Sequence, residues 1–356
     1  MLISDIYNAK ALALHQTEVA SNRTPAVGEG LFPAQKKMGL DLKLVRTHKG
    51  LPVSLAPSNF DAKSTLRSRE GIKMTDTQMA FFRESMLVKE QDEQEIMRVQ
   101  EANDPYISEI LRNIYDDTST LVEGARVVAE RMRMQLLAPT VDGSPRITIE
   151  SNGVQYSYNY DADGSYKTEN YKALSGTALW SDTAKADPLS DVMEMQDTIE
   201  AKTGSRPSRM LLSKATMNLL KQNAKIKSVV LAQNTTANVY MTDARISEVF
   251  SNELGITLIV YTKQYKDEAG VAHKYYPDGY VTLLPDGALG TTWYGTTPEE
   301  RTLRGRGDAD VSIIDTGITA TVTVTDDPVN TKTTVSEIVL PSFERMDETA
   351  VIKVTA

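Results

Sequence analysis

The residues that could do chemistry are few and poorly spaced for it. Histidine occurs three times, at 15, 48 and 273, and none has a second histidine at helical or hairpin spacing. Each is read as a solvated surface group. There is no cysteine, which removes disulfides, thiolate nucleophiles and Cys-based zinc sites. No serine stands in a Gly-x-Ser-x-Gly turn, and no Walker-type loop precedes a helix. Asp161-Ala162-Asp163-Gly164-Ser165 opens like a calcium loop, but its glycine comes too early and Lys172 stands where a bidentate glutamate belongs. A turn joining two strands accounts for it better. Gly305-Arg306-Gly307-Asp308 contains an Arg-Gly-Asp tripeptide, read as coincidence. The 48 acidic residues allow many carboxylate pairs for hydrolysis, and nothing singles one out. No catalytic, cofactor-binding or metal site is assigned, and no cofactor is expected.

The charged groups that do stand out are cations. Residues 1–75 carry 11 Lys/Arg against 6 Asp/Glu, so this stretch is +5 and the remainder −14 within a net charge of −9. A basic arm on an acidic body can bind nucleic acid or the acidic body of a neighbouring copy. Its basic residues are scattered among Pro, Gly and β-formers, with only Tyr7, Phe32 and Phe60 as aromatics, which is poor material for stacking on bases. Protein–protein contact is therefore expected. Residues 46–74 hold Gly50, Pro52, Pro57 and Gly71 among lysines and arginines with few large apolar side chains. Such a segment cannot bury enough surface to fold alone, so it is either a mobile loop or a long hairpin that needs a partner surface.

The elements around this segment follow from periodicity. Ile3, Ile6, Tyr7, Leu12 and Leu14 mark a short amphipathic helix, after which Thr24-Pro25, Gly28-Glu29-Gly30 and Pro33 break regular structure and leave an extended arm. Leu40 to Arg46 alternates with period two, as a half-buried strand does. Met79 to Glu84 returns to a core, and Val88 to Ala102 has a helical pattern. The longest helix follows, capped by Asn103 or Asp104 with Pro105 in its first turn. Apolar residues recur at three-and-four spacing from Ile107 to Leu136, ahead of Pro139. About 33 residues at 1.5 Å each make a rod of ~50 Å, and a coiled-coil strand is the competing reading.

Downstream, Arg146 to Ile149 and Val154 to Tyr160 alternate around Ser151-Asn152-Gly153, the strongest short hairpin signal. From Trp180 to Asn223 the order is distinctive. Asp187-Pro188-Leu189 opens a helix that stops at Gly204, a turn ends at Pro207, Met210 to Leu212 is an apolar strand, and a second helix follows Ser213. Asp243 to Leu254 is a helix stopped by Gly255, Ile256 to Tyr261 a buried-type strand, and residues 262–280 a polar excursion before the strand Tyr280 to Leu284. The last fifty residues are β-rich, with Ile318 to Val324, Val335 to Leu340 and Val351 to Val354 as strands. Strands and helices mix without a βαβ rhythm, which indicates an α+β fold.

Composition sets outer limits. The chain has 356 residues, 40% hydrophobic and 24% charged, ordinary for a globular protein of two or three domains. Met1-Leu2-Ile3-Ser4-Asp5 places an acid early and is not a secretory signal. No window approaches the roughly 18 apolar residues of a membrane span, so no membrane partner is expected and a cytoplasmic setting is.

In order and spacing the chain resembles the lambda-like major capsid protein E family of tailed phages, which has the Hong Kong 97-type fold. The matching pieces are Met79-Ala80-Phe81-Phe82-Arg83-Glu84, Glu130-Arg131-Met132-Arg133-Met134-Gln135-Leu136-Leu137, Gly153-Val154-Gln155-Tyr156, Trp180-Ser181-Asp182, Asp187-Pro188-Leu189-Ser190-Asp191, Thr203-Gly204-Ser205-Arg206-Pro207 and Met210-Leu211-Leu212-Ser213. The resemblance, taken over the order of elements, covers roughly residues 40–350. Ala138-Pro139, where a Gly-containing turn often follows the helix, departs from the pattern.

The resemblance implies an N-terminal arm at 1–44 and an extended loop, a β-hairpin, at 45–78. It implies a peripheral domain at 79–183 and 308–356 with a spine helix at 104–137, and an axial domain at 184–307. The loop would lie on the next subunit, with Arg46, Lys49, Lys63, Arg67, Arg69 and Lys73 as contact residues. The implied function is self-assembly, without turnover, into an icosahedral head enclosing double-stranded DNA. Partners would be copies of itself in pentamers and hexamers, a scaffolding protein, a portal, a decoration protein and DNA held non-specifically, with assembly in the bacterial host cytoplasm. An encapsulin-like compartment of the same fold and a soluble carboxylate-dependent hydrolase stay open as alternatives.

Overall fold

The computed structural model describes residues 13–15, 23–46, 73–88, 90, 94, 107–151, 153–231, 240–267, 269–303, 310–326 and 329–356. In chain order the elements are α1 (Val27–Leu31), β1 (Ala34–Lys36), β2 (Asp41–Arg46), β3 (Lys73–Gln78), β4 (Ala80–Val88), α2 (Ile107–Leu137), β5 (Arg146–Ser151) and β6 (Val154–Asn159). Then come α3 (Ser165–Glu169), β7 (Tyr171–Ala173), α4 (Pro188–Thr203), β8 (Arg209–Ser213), α5 (Lys214–Gln222), α6 (Ala224–Leu231), α7 (Asp243–Leu254) and β9 (Thr257–Tyr261). The last are β10 (Gln264–Lys266), β11 (Ala272–Lys274), β12 (Tyr280–Leu284), β13 (Thr292–Tyr294), β14 (Asp310–Ile314), β15 (Ile318–Asp326), β16 (Val329–Pro341) and β17 (Ala350–Lys353). They fall into two compact units. One takes Met1–Lys43, Asp76–Met132 and Thr291–Ser342, the other Leu44–Thr75, Arg133–Gly290 and Phe343–Ala356.

The first unit is a sheet in the order β1-β13-β16-β15-β14, with β4 on the other edge of β16. β15 reads Ile-Thr-Ala-Thr-Val-Thr-Val, so Ile318, Ala320 and Val322 share one face. That face meets α2, where Leu121, Val122 and Ala125 pack against Ile314, Ile318, Ala320 and Val335. Three-and-four spacing puts these helix residues on one stripe, as the sequence requires. Gly317, in the turn before β15, has no room for a side chain, since an added Cβ would lie 2.3 Å from Cβ of Tyr294. The segment expected to be irregular, 24–33, instead holds the short helix α1. Its Gly28 N–H donates to the buried Glu130 carboxylate of α2 at 3.0 Å, and the fully buried Phe32 leads into β1, which pairs parallel with β13. Glycines 28 and 30 break long helices but permit a single turn.

The second unit is built on β7-β17-β12-β8-β9, with every residue of β12 buried at its centre. Its core gathers Trp180, Ile199, Met210, Leu212, Phe250, Val281 and Ile352. Helix ends form where the sequence places them. Asp187 accepts from Ser190 N with Pro188 in the first turn, and Gly204 closes α4 at φ 70°. Ser213 caps α5, Thr242 caps α7, and Gly255 ends α7 at φ 66°. The alternating runs around Asn152 pair as a ribbon, Arg146 with Asn159 through Ser151 with Val154.

Several expectations are corrected. β8 and β9 are parallel and joined through α5, α6 and α7, so one crossover unit does exist within the α+β chain. The polar excursion 262–280 carries the ribbon β10–β11. The Asp161–Ser165 turn leads into α3, not directly into a strand. Of the helix expected over 88–102, Val88 closes β4; only Glu90 and Gln94 are otherwise described, both helical, and the rest lies outside the described residues. β4 extends because nine of its residues find register on β16. The amphipathic helix at the N-terminus is described only at 13–15.

Candidate functional site

Of the six cations assigned to the loop, Lys49, Lys63, Arg67 and Arg69 lie outside the described residues, and Lys73 is described as backbone of β3 only. Arg46, the last residue of β2, turns into its own unit. Its Nε and Nη2 both donate to Asp347 Oδ1, at 3.1 and 2.5 Å, its Nη1 to Asp163 Oδ1 at 3.1 Å, and its Nη2 to Ser165 Oγ at 2.8 Å. Asp161 Oδ1 lies 3.7 Å from Nη1. The Arg46 and Asp347 side chains are only 10% and 2% exposed. Burial opposes the charge, but the Asp347 hydrogen bond and the Asp347, Asp163 and Asp161 carboxylates outweigh it and hold the guanidinium above its usual range.

The turn that began like a calcium loop therefore receives an arginine as its cation. Asp161 is also committed to the protein, because it accepts from Tyr166 N, Lys167 N and Ser144 Oγ at 2.9, 3.0 and 3.2 Å and so satisfies two first-turn N–H groups of α3. The planar guanidinium fork suits the position. Its donors reach two carboxylates and a hydroxyl at once, which an ammonium could not do in one plane. Nothing in the sequence pairs Arg46 with Asp347, 301 residues away. Only the Asp-x-Asp turn signals a site wanting a cation.

A second arrangement lies at the end of the long helix. Gln135 Nε2 donates to Thr148 O at 3.0 Å and its Oε1 accepts from Thr148 N at 2.9 Å. One side-chain amide thus stands in for a neighbouring strand along β5. The carbonyl of Leu137, which α2 itself cannot satisfy, accepts from the buried Thr282 Oγ1 at 2.5 Å. Gln135 and Leu137 belong to the family-like run 130–137, so the resemblance marks this position without indicating its role.

Among the described residues, no group of three or more His, Asp or Glu is placed to hold a metal ion, and no helix is long and apolar enough to cross a membrane. His273 is exposed, 2.8 Å from Asp267 Oδ2, and stacks on Tyr265; His48 and the Arg-Gly-Asp tripeptide lie outside the described residues. The recurring theme is polar groups that tie distant segments together.

Residues 13–355 match the family model described as phage major capsid protein E. The chain belongs to that family. No curated protein matches it. Among solved structures, a candidate prophage capsid protein from E. coli CFT073 is similar at TM-score 0.58 and 13% identity, covering 98% of this chain and 99% of that one. A phage-related protein from Bordetella bronchiseptica RB50 gives 0.57 and 15%, over 97% and 96%. The cyanophage A-1(L) capsid subunit gives 0.50 and 11%, over 94% and 93%. At these identities the likenesses establish the fold, the Hong Kong 97 type. Family membership makes the chain a structural protein of the virion that associates with itself into the head shell. Neither the cargo compartment nor the hydrolase is favoured.

Proposed function

We propose that each copy laps its extended loop, residues 45–78, over the next copy, and that these laps close an icosahedral shell of pentamers and hexamers around double-stranded DNA. The observation that carries this reading is the Arg46 anchor. A loop that must reach a neighbour in a fixed direction needs a fixed root, and the buried Arg46–Asp347 pair provides one at the loop's first residues. Arg46 is then the residue that aims the loop. Lys49, Lys63, Arg67, Arg69 and Lys73, further out, meet the acidic surface of the neighbour, in keeping with the +5 and −14 split of charge.

In this reading residues 1–44 are the arm, 79–183 and 308–356 the peripheral domain with its spine helix at 104–137, and 184–307 the axial domain around the five- and six-fold axes. Contacts of that kind are heterologous and close because their rotation fits a ring. A sequence pI near 5.1 suits a container for DNA, because a cationic wall would hold phosphates tightly and resist packaging. A scaffolding protein, a portal and a decoration protein complete the partners, and assembly takes place in the host cytoplasm. Deleting residues 48–72 tests the loop assignment: the body should fold, keeping its helical circular dichroism, and give no stable shells in electron micrographs. Shells of normal stability from that deletion would show the loop assignment to be wrong.

A further inference from the structure

Among the described residues, nothing pairs with the outer edge of β6. Gln135 takes both backbone groups of Thr148, which makes Thr148–Ser157 a pair whose N–H and C=O groups point away from each other across β5–β6. The same alternation turns the backbone groups of Gln155, Ser157 and Asn159 outward on the far side. All three residues are exposed, and their outward backbone groups make no hydrogen bond to any described residue.

Open edges are ordinarily blunted by charge, proline or a bulge. Val154-Gln155-Tyr156-Ser157-Tyr158-Asn159 has no charge and no proline, and its six pairs with β5 run without a bulge. On the β5 edge of the same ribbon Gln135 takes the backbone groups of Thr148, and among the described residues Ser157 on β6 has no such partner. The β6 strand is also close to a chemical palindrome about Ser157, with Gln155-Tyr156 before it and Tyr158-Asn159 after. An inverted copy would set amide against amide, tyrosine against tyrosine and serine against serine. Tyr156 and Tyr158 already stack, centroids 6.3 Å apart and planes 7° from parallel. A second such pair extends the row at no cost in charge repulsion.

We propose that β6 pairs antiparallel with β6 of a second copy about a two-fold axis at Ser157, joining two ribbons into one four-stranded sheet. The inference rests on the shell-building reading only in taking the partner to be this same chain. It adds an isologous contact, a surface that fits itself, to the heterologous contacts of the ring.

Single cysteines report the pairing cleanly, because the chain has none of its own. In an antiparallel hydrogen-bonded pair the Cα atoms lie about 5.5 Å apart, within disulfide reach. Mild oxidation of the purified full chain carrying Ser157→Cys should therefore yield chain dimers on a non-reducing gel. Gln155→Cys and Asn159→Cys face each other and not themselves, so each alone should stay monomeric on the gel and the mixture should cross-link. Ser157→Pro is an independent arm. The N–H it removes is not used within the ribbon, so the hairpin keeps its hydrogen-exchange protection while the added strand is blocked. Equal cross-linking at all three positions, or none at 157, overturns the pairing. Micrographs of the same samples separate the two ideas. Shells without a 157 disulfide refute the pairing, whereas that disulfide in protein that never forms shells keeps the pairing and refutes the shell.

Discussion

Replacing Arg46 by methionine tests how the loop is held. The substitution keeps most of the aliphatic stem and removes the guanidinium from between three carboxylates. Their situations differ. Asp163 is 37% exposed and water can take over its solvation, so its share is small, about 0–1 kcal/mol. Asp161 is buried but keeps its bonds from Tyr166 N, Lys167 N and Ser144 Oγ. Asp347, 2% exposed, loses its two charge-assisted bonds and stays in a site with two like charges nearby. Breaking a buried pair from one side costs about 3–5 kcal/mol, and the surviving bonds to Asp161 put the expectation near the lower end, about 3 kcal/mol. The double variant Arg46→Met/Asp347→Asn removes the buried negative charge and should recover about 1–2 kcal/mol of that. Arg46→Lys should fall between, since one ammonium cannot span Asp347, Asp163 and Ser165 together. The assay is native-state hydrogen exchange of the amides of β2 and α3, which reads local opening and needs no two-state assumption in a chain of two units. Protection within about 0.5 kcal/mol of the unsubstituted protein in the single variant, or no recovery in the double, would refute the anchor.

Three further outcomes are expected. Leu121→Asp puts a charge into the stripe that packs on Ile314, Ile318 and Val335, and should abolish soluble expression; a soluble, assembling variant would mean that this face is not buried. Gln135→Ala strips Thr148 of both backbone partners and should cost about 1–3 kcal/mol, read as faster exchange of the Thr148 amide with α2 intact. Asp243 is held below the ordinary carboxylate range by hydrogen bonds from Lys214 and Lys221, so its contribution to stability is present above the unfolded pKa of about 4 and is lost as pH falls through the lower folded value. Asp243→Asn should therefore flatten the acid limb of the stability–pH curve, and an unchanged limb would count against these contacts.

How much of the structure is legible in the sequence depends on how local its cause is. The β5–β6 ribbon, the Asp187 and Ser213 caps and the glycine stops at 204 and 255 each follow from a few neighbouring residues, and each stands where its signal puts it. β4 is harder. Its Phe-Phe-Arg-Glu-Ser-Met run has no clean alternation, and it becomes a strand because β16, some 250 residues later, offers it an edge. The short helix α1 is likewise fixed from outside, by the Glu130 carboxylate at Gly28 N. The candidate site divides in the same way. Arg46 stands out as a cation at the loop's edge, but its partner Asp347 is invisible to any local pattern. The amide of Gln135 acting as a strand cannot be read from a residue that looks like one more polar position on a helix.

The central claim, that this chain associates into closed shells, is most directly tested by electron microscopy of the purified full chain, with sedimentation of the same sample. Closed particles of uniform diameter, sedimenting far ahead of a single chain, are the predicted result. A monodisperse 39.3 kDa monomer that stays monomeric on concentration would contradict it.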